Sequence, residues 1–447
     1  MDDTLFDLPD EPPAPLDEGA SSARPRLQRP DRDQVELRPT HLDGLLPPDH
    51  RARLVWAFVE GLDLAPLHAL IRAVEGHAGR PPIDPAILLA LWLHATLEGV
   101  GSARALARLC EEHDAYRWLC GGVGVNHHTL ADFRVDHGEV LDGLLSASVA
   151  ALMADGLVAL ERVAQDGVRV RASAGAASFR RRDALTSALE EAEAQVRALR
   201  AELDDDPAAT SRRVAAARER AARERTERVR AALAQLPALE AARRRSGQPA
   251  EDARASTSDP EARVMKMADG GFRPAFNAQL ATDTASQVIV GVDVGNVGSD
   301  RGQLGPMVRQ LERRYARAPG AMLVDGGFLN LAEFAMLASS APGMLLYAPV
   351  PAPRDDARDP HVPLPEDPPA VAAWRVRMGT PEAKGIYRER AATAECVNAQ
   401  ARNRGLRQLP VRGLARALAV LLWQALAHNL LRTVALRRAI AAGGATG

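Results

Sequence analysis

Lysine is nearly missing from this chain: Lys266 and Lys384 are the only two in 447 residues, so almost all of the 56 basic residues are arginine. With Ala, Gly and Pro also heavily used, this reads as genomic composition bias, not chemistry. An excess of charge of one sign is missing too. The 56 basic residues meet 58 acidic ones for a formal net charge of −2, so no overall basic field advertises a polyanion, and any nucleic-acid surface must be local. Cysteine is scarce. Cys110, Cys120 and Cys396 make no even, closely spaced framework of the kind that staples small secreted domains, and a reducing cytosol is the expected compartment. The first twenty positions hold seven acids and no base, the reverse of a secretory n-region. Long apolar runs are lacking as well. The longest, Ala417 to Leu431, is broken by Gln424, His428 and Asn429 and falls short of the ~20 residues a membrane span needs. A buried helix is expected there.

What is present is 46% hydrophobic content, ample for real cores, in a length that typically divides into about two to four domains. Residues 1–40 are rich in Pro, Asp, Glu, Arg and Ser without apolar period, and are expected to form a disordered arm. From 41 to 156 the pattern is helical. Asp84-Pro85 is an N-cap followed by Pro at the first helical position, leading into Ala86 to Glu98; Ser102 caps the next short helix, and Asn126 to Thr129 precede an amphipathic run from Leu130 to about Ala154. After Gly156 the period changes, with Val158, Leu160, Val163, Val168 and Val170 reading as strand. The segment 183–245, rich in Ala, Glu, Arg and Leu, reads as a helical insertion, broken at Asp204-Asp205-Asp206-Pro207 into a hairpin. Its leucines and alanines do not sustain clean heptads, which argues against a long dimer zipper. A polar linker, 246–260, returns the chain to strands over Phe272 to Thr282 and Gln287 to Val294. A helix from Gln303 to Ala316, a strand ending at Asp325, a helix from Asn330 to Ser339, a strand within Gly343 to Val350 and a helical pattern over Pro381 to Ala441 follow. The last residues, 442–447, read as a disordered tail.

Two carboxylates sit at informative points. Asp166 ends an apolar run, and Asp325 terminates Met322-Leu323-Val324, where an open α/β sheet places its ligands. Glu395 lies on the following helical segment. Hard oxygen ligands of this kind could hold Mg²⁺ or Mn²⁺ once folding brings them together, and paired metals suit phosphoryl transfer because one activates the attacking oxygen while the other stabilises the leaving one. The plain alternatives are that Asp166-Gly167 is a hairpin turn and that Asp325-Gly326-Gly327 is a strand-ending turn.

Several blocks in order carry a resemblance: Arg80-Pro81-Pro82-Ile83-Asp84-Pro85, Thr129-Leu130-Ala131-Asp132-Phe133-Arg134, Asp166-Gly167-Val168-Arg169-Val170, Gly271-Phe272-Arg273-Pro274-Ala275-Phe276-Asn277-Ala278-Gln279, Val324-Asp325-Gly326-Gly327-Phe328, and Tyr387 to Arg412. Over about residues 40 to 440, outside the helical insertion, the chain resembles a DDE transposase of the bacterial insertion-sequence type. The resemblance implies an all-α, helix-turn-helix-like DNA-binding domain over 41–156. It further implies an RNase H-like mixed sheet over 157–441, carrying the insertion and followed by a helical tail. It implies Asp166, Asp325 and Glu395 as catalytic, metal-holding residues, with Mg²⁺ as cofactor and Mn²⁺ as substitute. Tyr387, Arg390, Glu395 and Arg402 match the Tyr, Arg, Glu, Lys signature of that family. Arg402 stands where the family has Lys, trading a point charge for a planar fork. Four residues separate Arg390 from Glu395 where the commonest pattern has three, which keeps Glu389 and Glu382 as alternatives for the third acid.

Arg402, Arg404, Arg407, Arg412 and Arg416 fall within sixteen positions that contain no acid, and phosphate neutralisation is their simplest use. Arg104, Arg108 and Arg134 are further candidates on the helices between 84 and 140, expected to include a helix that reads the major groove. The arginines between Arg212 and Arg230 are interleaved with glutamates and read as a solvated face. Cys110, His113, Cys120, His127 and His128 lie within nineteen residues, but their spacing resembles no standard zinc site. The expected partners are double-stranded DNA, both element ends and target, and further copies of the chain assembled on DNA. The expected location is cytoplasmic, at the nucleoid. The alternative from another class is an inactivated or repurposed transposase that represses by occupying element ends.

Overall fold

Asp84 and Pro85 begin the central helix of the N-terminal region as the sequence predicts: the Asp84 carboxylate accepts from the Ala86 N–H at 2.8 Å, and Pro occupies the first helical position, where its missing N–H costs nothing. The computed structural model describes residues 41–73, 81–205, 212–353 and 358–443. The expected arm over 1–40 and residues 444–447 of the expected tail lie outside them, as does 206–211 of the hairpin break. Short helices α1 (Arg51–Glu60), α2 (Ala65–His68), α3 (Pro85–Leu97), α4 (Ala103–Glu112), α5 (Asp114–Cys120), α6 (His127–Asp136) and α7 (Gly138–Ala154) come first. Ser102 and Asn126 cap α4 and α6, and Gly121, at φ 58°, ends α5 in the left-handed conformation that favours glycine. α3 is buried on all sides, the mark of a core helix.

The strands β1 (Arg162–Arg171), β2 (Phe179–Arg180), β3 (Ala255–Ser256), β4 (Arg263–Lys266), β5 (Phe272–Asp283), β6 (Ile289–Gly295), β7 (Ala321–Leu323) and β8 (Leu345–Tyr347) follow. Among the described residues the main sheet runs β4-β5-β1-β7-β8, with β6 also on β5. β1 pairs antiparallel with β5 and parallel with β7, and β7 pairs parallel with β8. Parallel neighbours need crossovers, and α10 (Leu304–Tyr315) and α11 (Leu331–Ser340) supply them. The result is a mixed α/β architecture with helical regions before and after the sheet.

The insertion is the expected hairpin, α8 (Arg182–Asp205) and α9 (Arg212–Arg245), with a small core of its own around Leu185, Val229, Ala232 and Leu236. Its arginines pair with its glutamates, Arg230 with Glu193 at 2.6 Å and Arg200 with Glu219 at 3.2 Å, a solvated face as the interleaving indicates. The stretch read as a polar linker is more structured than its composition suggests. Ala255–Ser256 pairs with Phe179–Arg180 as a ribbon at the foot of the hairpin, and buried Asp259 accepts from the Gly413 N–H at 3.2 Å.

The C-terminal part comprises α12 (Pro369–Gly379), α13 (Pro381–Arg390), a π-helical turn over Ala391–Glu395, α14 (Cys396–Asn403) and α15 (Leu414–Gly443). α15 is the one described helix long and apolar enough to cross a membrane, and two thirds of its apolar window is buried in the fold. Its polar interruptions are attachments. The Asn429 amide accepts from the Ile289 N–H and donates to the Ile289 carbonyl, both at 2.8 Å, as a neighbouring strand would. His428 Nε2 lies 2.8 Å from the Gln287 carbonyl. The other face of α15 meets the N-terminal helices. Trp423 packs near Trp92 and Phe133, its ring 6.5 and 6.2 Å away centroid to centroid, and donates to the Arg134 carbonyl at 3.0 Å.

Candidate functional site

β1 and β7 run side by side, with Ala164 opposite Leu323 as the last pair. Continuing each chain by two residues brings Asp166 and Asp325 to the same level, just past the C-terminal end of β7 and of its parallel pairing with β1, the side on which α/β sheets place their ligands. Asp166 is therefore inside a strand, paired with Leu280 of β5, and the hairpin-turn reading of Asp166-Gly167 is corrected: the glycine is there for close approach. A Cβ on Gly167 would fall 1.9 Å from an oxygen of Asp300. Asp325 keeps a turn role as well, since its Oδ1 accepts from the Gly327 N–H at 2.8 Å.

The two carboxylates share one cation. Arg390 Nη2, at the end of α13, lies 2.9 Å from Asp166 Oδ1 and 3.4 Å from Asp325 Oδ2. Asn398 of α14 donates to the other Asp166 oxygen at 2.7 Å. Burial pushes the Asp166 carboxyl above the usual carboxylate range; the Arg390 guanidinium opposes this, and the charges of Asp325 and Asp300 add to it. Tyr387 stands one turn before Arg390, half-buried. Burial raises its hydroxyl, which also feels the charges of Arg390, Asp325 and Asp166.

Glu395 does not join the aspartate pair. It is exposed at the end of the π turn, and with Asp166, Asn398, Arg402, Arg169 and Lys266 it lines a cleft of about 430 Å³. The alternative acids lie elsewhere. Glu389 is held by Arg162 and by the Thr284 hydroxyl at 3.1 Å, at the opposite end of β1 from Arg171, and Glu382 is exposed in the first turn of α13. Among the described residues no group of three or more His, Cys, Asp or Glu side chains is arranged to hold a metal, and that includes the Cys110 to His128 set. The Cys110 and Cys120 thiols are both free, and the neighbouring Cys120 thiol together with burial pushes Cys110 up. Asp166 and Asp325, from β1 and the end of β7, enclose one positive charge, that of Arg390.

Of the predicted DNA-contacting arginines, Arg104, Arg108, Arg407 and Arg412 are exposed; Arg108 pairs with Glu112 at 3.5 Å, and Arg412 donates to the Ser173 carbonyl at 3.4 Å. Arg404 is half-buried beside His428 and Gln400. Arg134 is corrected: it is buried, donates to the Gly101 carbonyl at 2.5 Å and lies 4.8 Å over the Trp92 ring, so it braces the helical core and cannot meet DNA. From the basic 401–416 stretch Arg402 lines the cleft, and the chain after it is tied to the end of β1, the Arg171 N–H donating to the Arg407 carbonyl at 3.2 Å and the Leu409 N–H to the Arg171 carbonyl at 2.8 Å.

Sequence reasoning missed Asn398, Arg169 and Asp300. Asp300 is buried, accepting from Asn277 at 2.8 Å, Gln279 at 2.7 Å and Arg169 at 2.9 Å, and so fixes Arg169 on the cleft wall. Nothing local marks Asp300, since its partners come from β1 and β5. Lys266 carried a signal: it is one of two lysines in an arginine-rich chain.

Residues 40–136 match the family described as Transposase domain (DUF772). Comparison with curated proteins and with solved structures gives no match. A transposase-related domain is thus present over α1 to α6, and the carboxylate pair lies in the mixed sheet beyond it.

Proposed function

We propose that this protein is a DDE-type DNA transposase with an RNase H-like catalytic region, binding the ends of its element, hydrolysing phosphodiester bonds and using the released 3′-hydroxyl to attack target DNA. The observation that carries the reading is the pairing of Asp166 and Asp325 about a single cation where the parallel pairing of β1 and β7 ends, with Asp166, Glu395 and Arg402 lining one cleft. Asp166 and Asp325, with Glu395, would hold Mg²⁺, or Mn²⁺ in its place. When bound, the metals supply activation of the attacking oxygen and stabilisation of the leaving one.

The chain's own residues prepare the site. Asn398 fixes the plane of Asp166, Arg390 neutralises the two aspartates, and Tyr387 packs beside it. Arg402 and Arg169 face the phosphodiester from the cleft wall, while Arg104, Arg108, Arg407 and Arg412 offer exposed phosphate contacts, with half-buried Arg404 behind them. The extra residue between Arg390 and Glu395 is taken up by the π turn, whose i→i+5 bond closes over one residue more than an α turn. Glu395 thereby keeps the face it would have in the commoner spacing. The helices α4 to α6 would read the element ends, and two ends would be held by an oligomer of the chain.

Cleavage of a labelled duplex carrying the sequences that flank the coding region tests this, in Mg²⁺ and in Mn²⁺. Wild type cleaves, and Asp166→Asn and Asp325→Asn bind the duplex without cutting it. End binding with no cleavage by wild type in either metal favours the repressor reading instead.

A further inference from the structure

The rim of the cleft opposite α14 is the tip of the β4–β5 hairpin. Its turn is closed by the Met267 N–H on the Gly271 carbonyl at 2.8 Å and the Gly270 N–H on the Met267 carbonyl at 3.0 Å. It is braced by Arg273 on Asp269 at 2.7 Å. Lys266, Met267 and Ala268 line the cleft together with Asp166 and Glu395. Lys266 is exposed and forms no ion pair among the described residues. In the ladder it stands directly opposite Phe272, and residues opposed in an antiparallel pair share one face of the ribbon. Phe272 is 70% exposed, the most exposed of the large hydrophobic side chains in the described chain.

A single exposed hydrophobic residue needs no explanation. An exposed aromatic beside an unpaired lysine, on a braced hairpin at the mouth of a phosphodiester cleft, has the composition of a single-strand grip, in which a cation holds the backbone and a ring takes a base face. Lysine suits this place because a flexible ammonium can follow a phosphate through a reaction, whereas Arg169 is fixed by Asp300 and by the Gly298 carbonyl at 3.0 Å. The cleft carries Asp166 and Glu395 against Arg169, Lys266 and Arg402, and Arg390 already offsets Asp166. A polyanion is the complementary occupant.

We propose that the β4–β5 hairpin is a nucleic-acid grip, with Lys266 on a backbone phosphate and Phe272 stacked on a base of the strand lying in the cleft. The proposal rests on the transposase reading for its substrate class, but binding tests it separately from cleavage. The probe is a fluorescent duplex of the flanking sequence with 2-aminopurine at the element boundary, titrated with the full chain over a salt series without divalent metal. Lys266→Ala is expected to reduce the slope of log affinity against log salt by about 1, and Phe272→Ala to weaken binding roughly tenfold and abolish the 2-aminopurine change. Lys384→Ala, the same charge lost on α13, is expected to leave the slope as in wild type. Both grip residues are exposed, and circular dichroism checks that the variants fold.

Either grip variant binding like wild type, or Lys384→Ala lowering the slope as much as Lys266→Ala, overturns the grip. If wild type binds and the variants weaken it while no metal supports cleavage, the grip stands and the catalytic reading fails. If wild type cleaves and both variants bind as it does, the reverse holds. A wild type that binds no duplex overturns both.

Discussion

A guanidinium nitrogen 2.9 and 3.4 Å from oxygens of two different aspartates is a strong local constraint, because neighbouring carboxylates cannot both stay ionised cheaply without a cation between them. Arg390→Ala should therefore lower the melting temperature by several degrees in EDTA, and added Mg²⁺ should raise it more in the variant than in wild type. Differential scanning fluorimetry reads both effects, and equal Mg²⁺ responses would show that the aspartates do not bind the ion. Gly167→Ala is a second test, since its Cβ would meet the Asp300 carboxylate at 1.9 Å. Displacing a buried, fully bonded acid should cost ~2–4 kcal/mol in urea unfolding. At this scale Asp325 was legible as an acid that stops an apolar run, whereas the run read as ending at Asp166 continues as β1 to Arg171. Arg134 was not legible, because whether an arginine on a short helix faces water or a tryptophan depends on what the distant α3 presents to it.

The π turn is the element in which sequence and fold diverge most usefully. If it absorbs the extra residue, deleting Ala392 should convert it to an α turn, keep Asn398 on Asp166, and leave melting temperature and cleavage close to wild type. Deleting Ala399, beyond the turn, should rotate Arg402 by a helical step of about 100° and impair cleavage at least tenfold. Both deletions behaving alike would remove this role from the turn. α15 offers a second element-scale test. Asn429→Leu leaves the Ile289 N–H and carbonyl buried without partners, and should cost ~2–4 kcal/mol, read from chemical denaturation, despite making the helix more apolar. The helices around Asp84, Ser102 and Asn126 and the insertion hairpin were readable from caps and composition, which are local. The β2–β3 ribbon was not, because each of its strands is two residues long and is defined only by partners 75 and 77 positions away.

For the whole molecule, the joining of the N-terminal helices to the sheet through α15 was invisible in the sequence, since that stretch announces burial without naming what buries it. Burial of two histidines also sets a pH dependence. Burial lowers His428 on α15 and His94 on α3 from 6.5 to about 4, so both are neutral in the fold. The unfolded chain binds more protons between these values. Stability is therefore full above pH 6.5 and falls as pH drops toward 4, by up to about 3 kcal/mol for each histidine. Thermal melts from pH 7.5 to 4.5 should show this fall, and His428→Gln should flatten it; an unchanged slope in the variant would place its cause elsewhere. The most direct measurement of the proposed function is the joining of a labelled, pre-cleaved element end with a free 3′-hydroxyl to a plasmid target, by wild type and Asp325→Asn in Mg²⁺ and Mn²⁺. If the protein is a DDE transposase, wild type in metal gives a joined product and the variant gives none. End binding by both proteins with no joined product from either would contradict that reading.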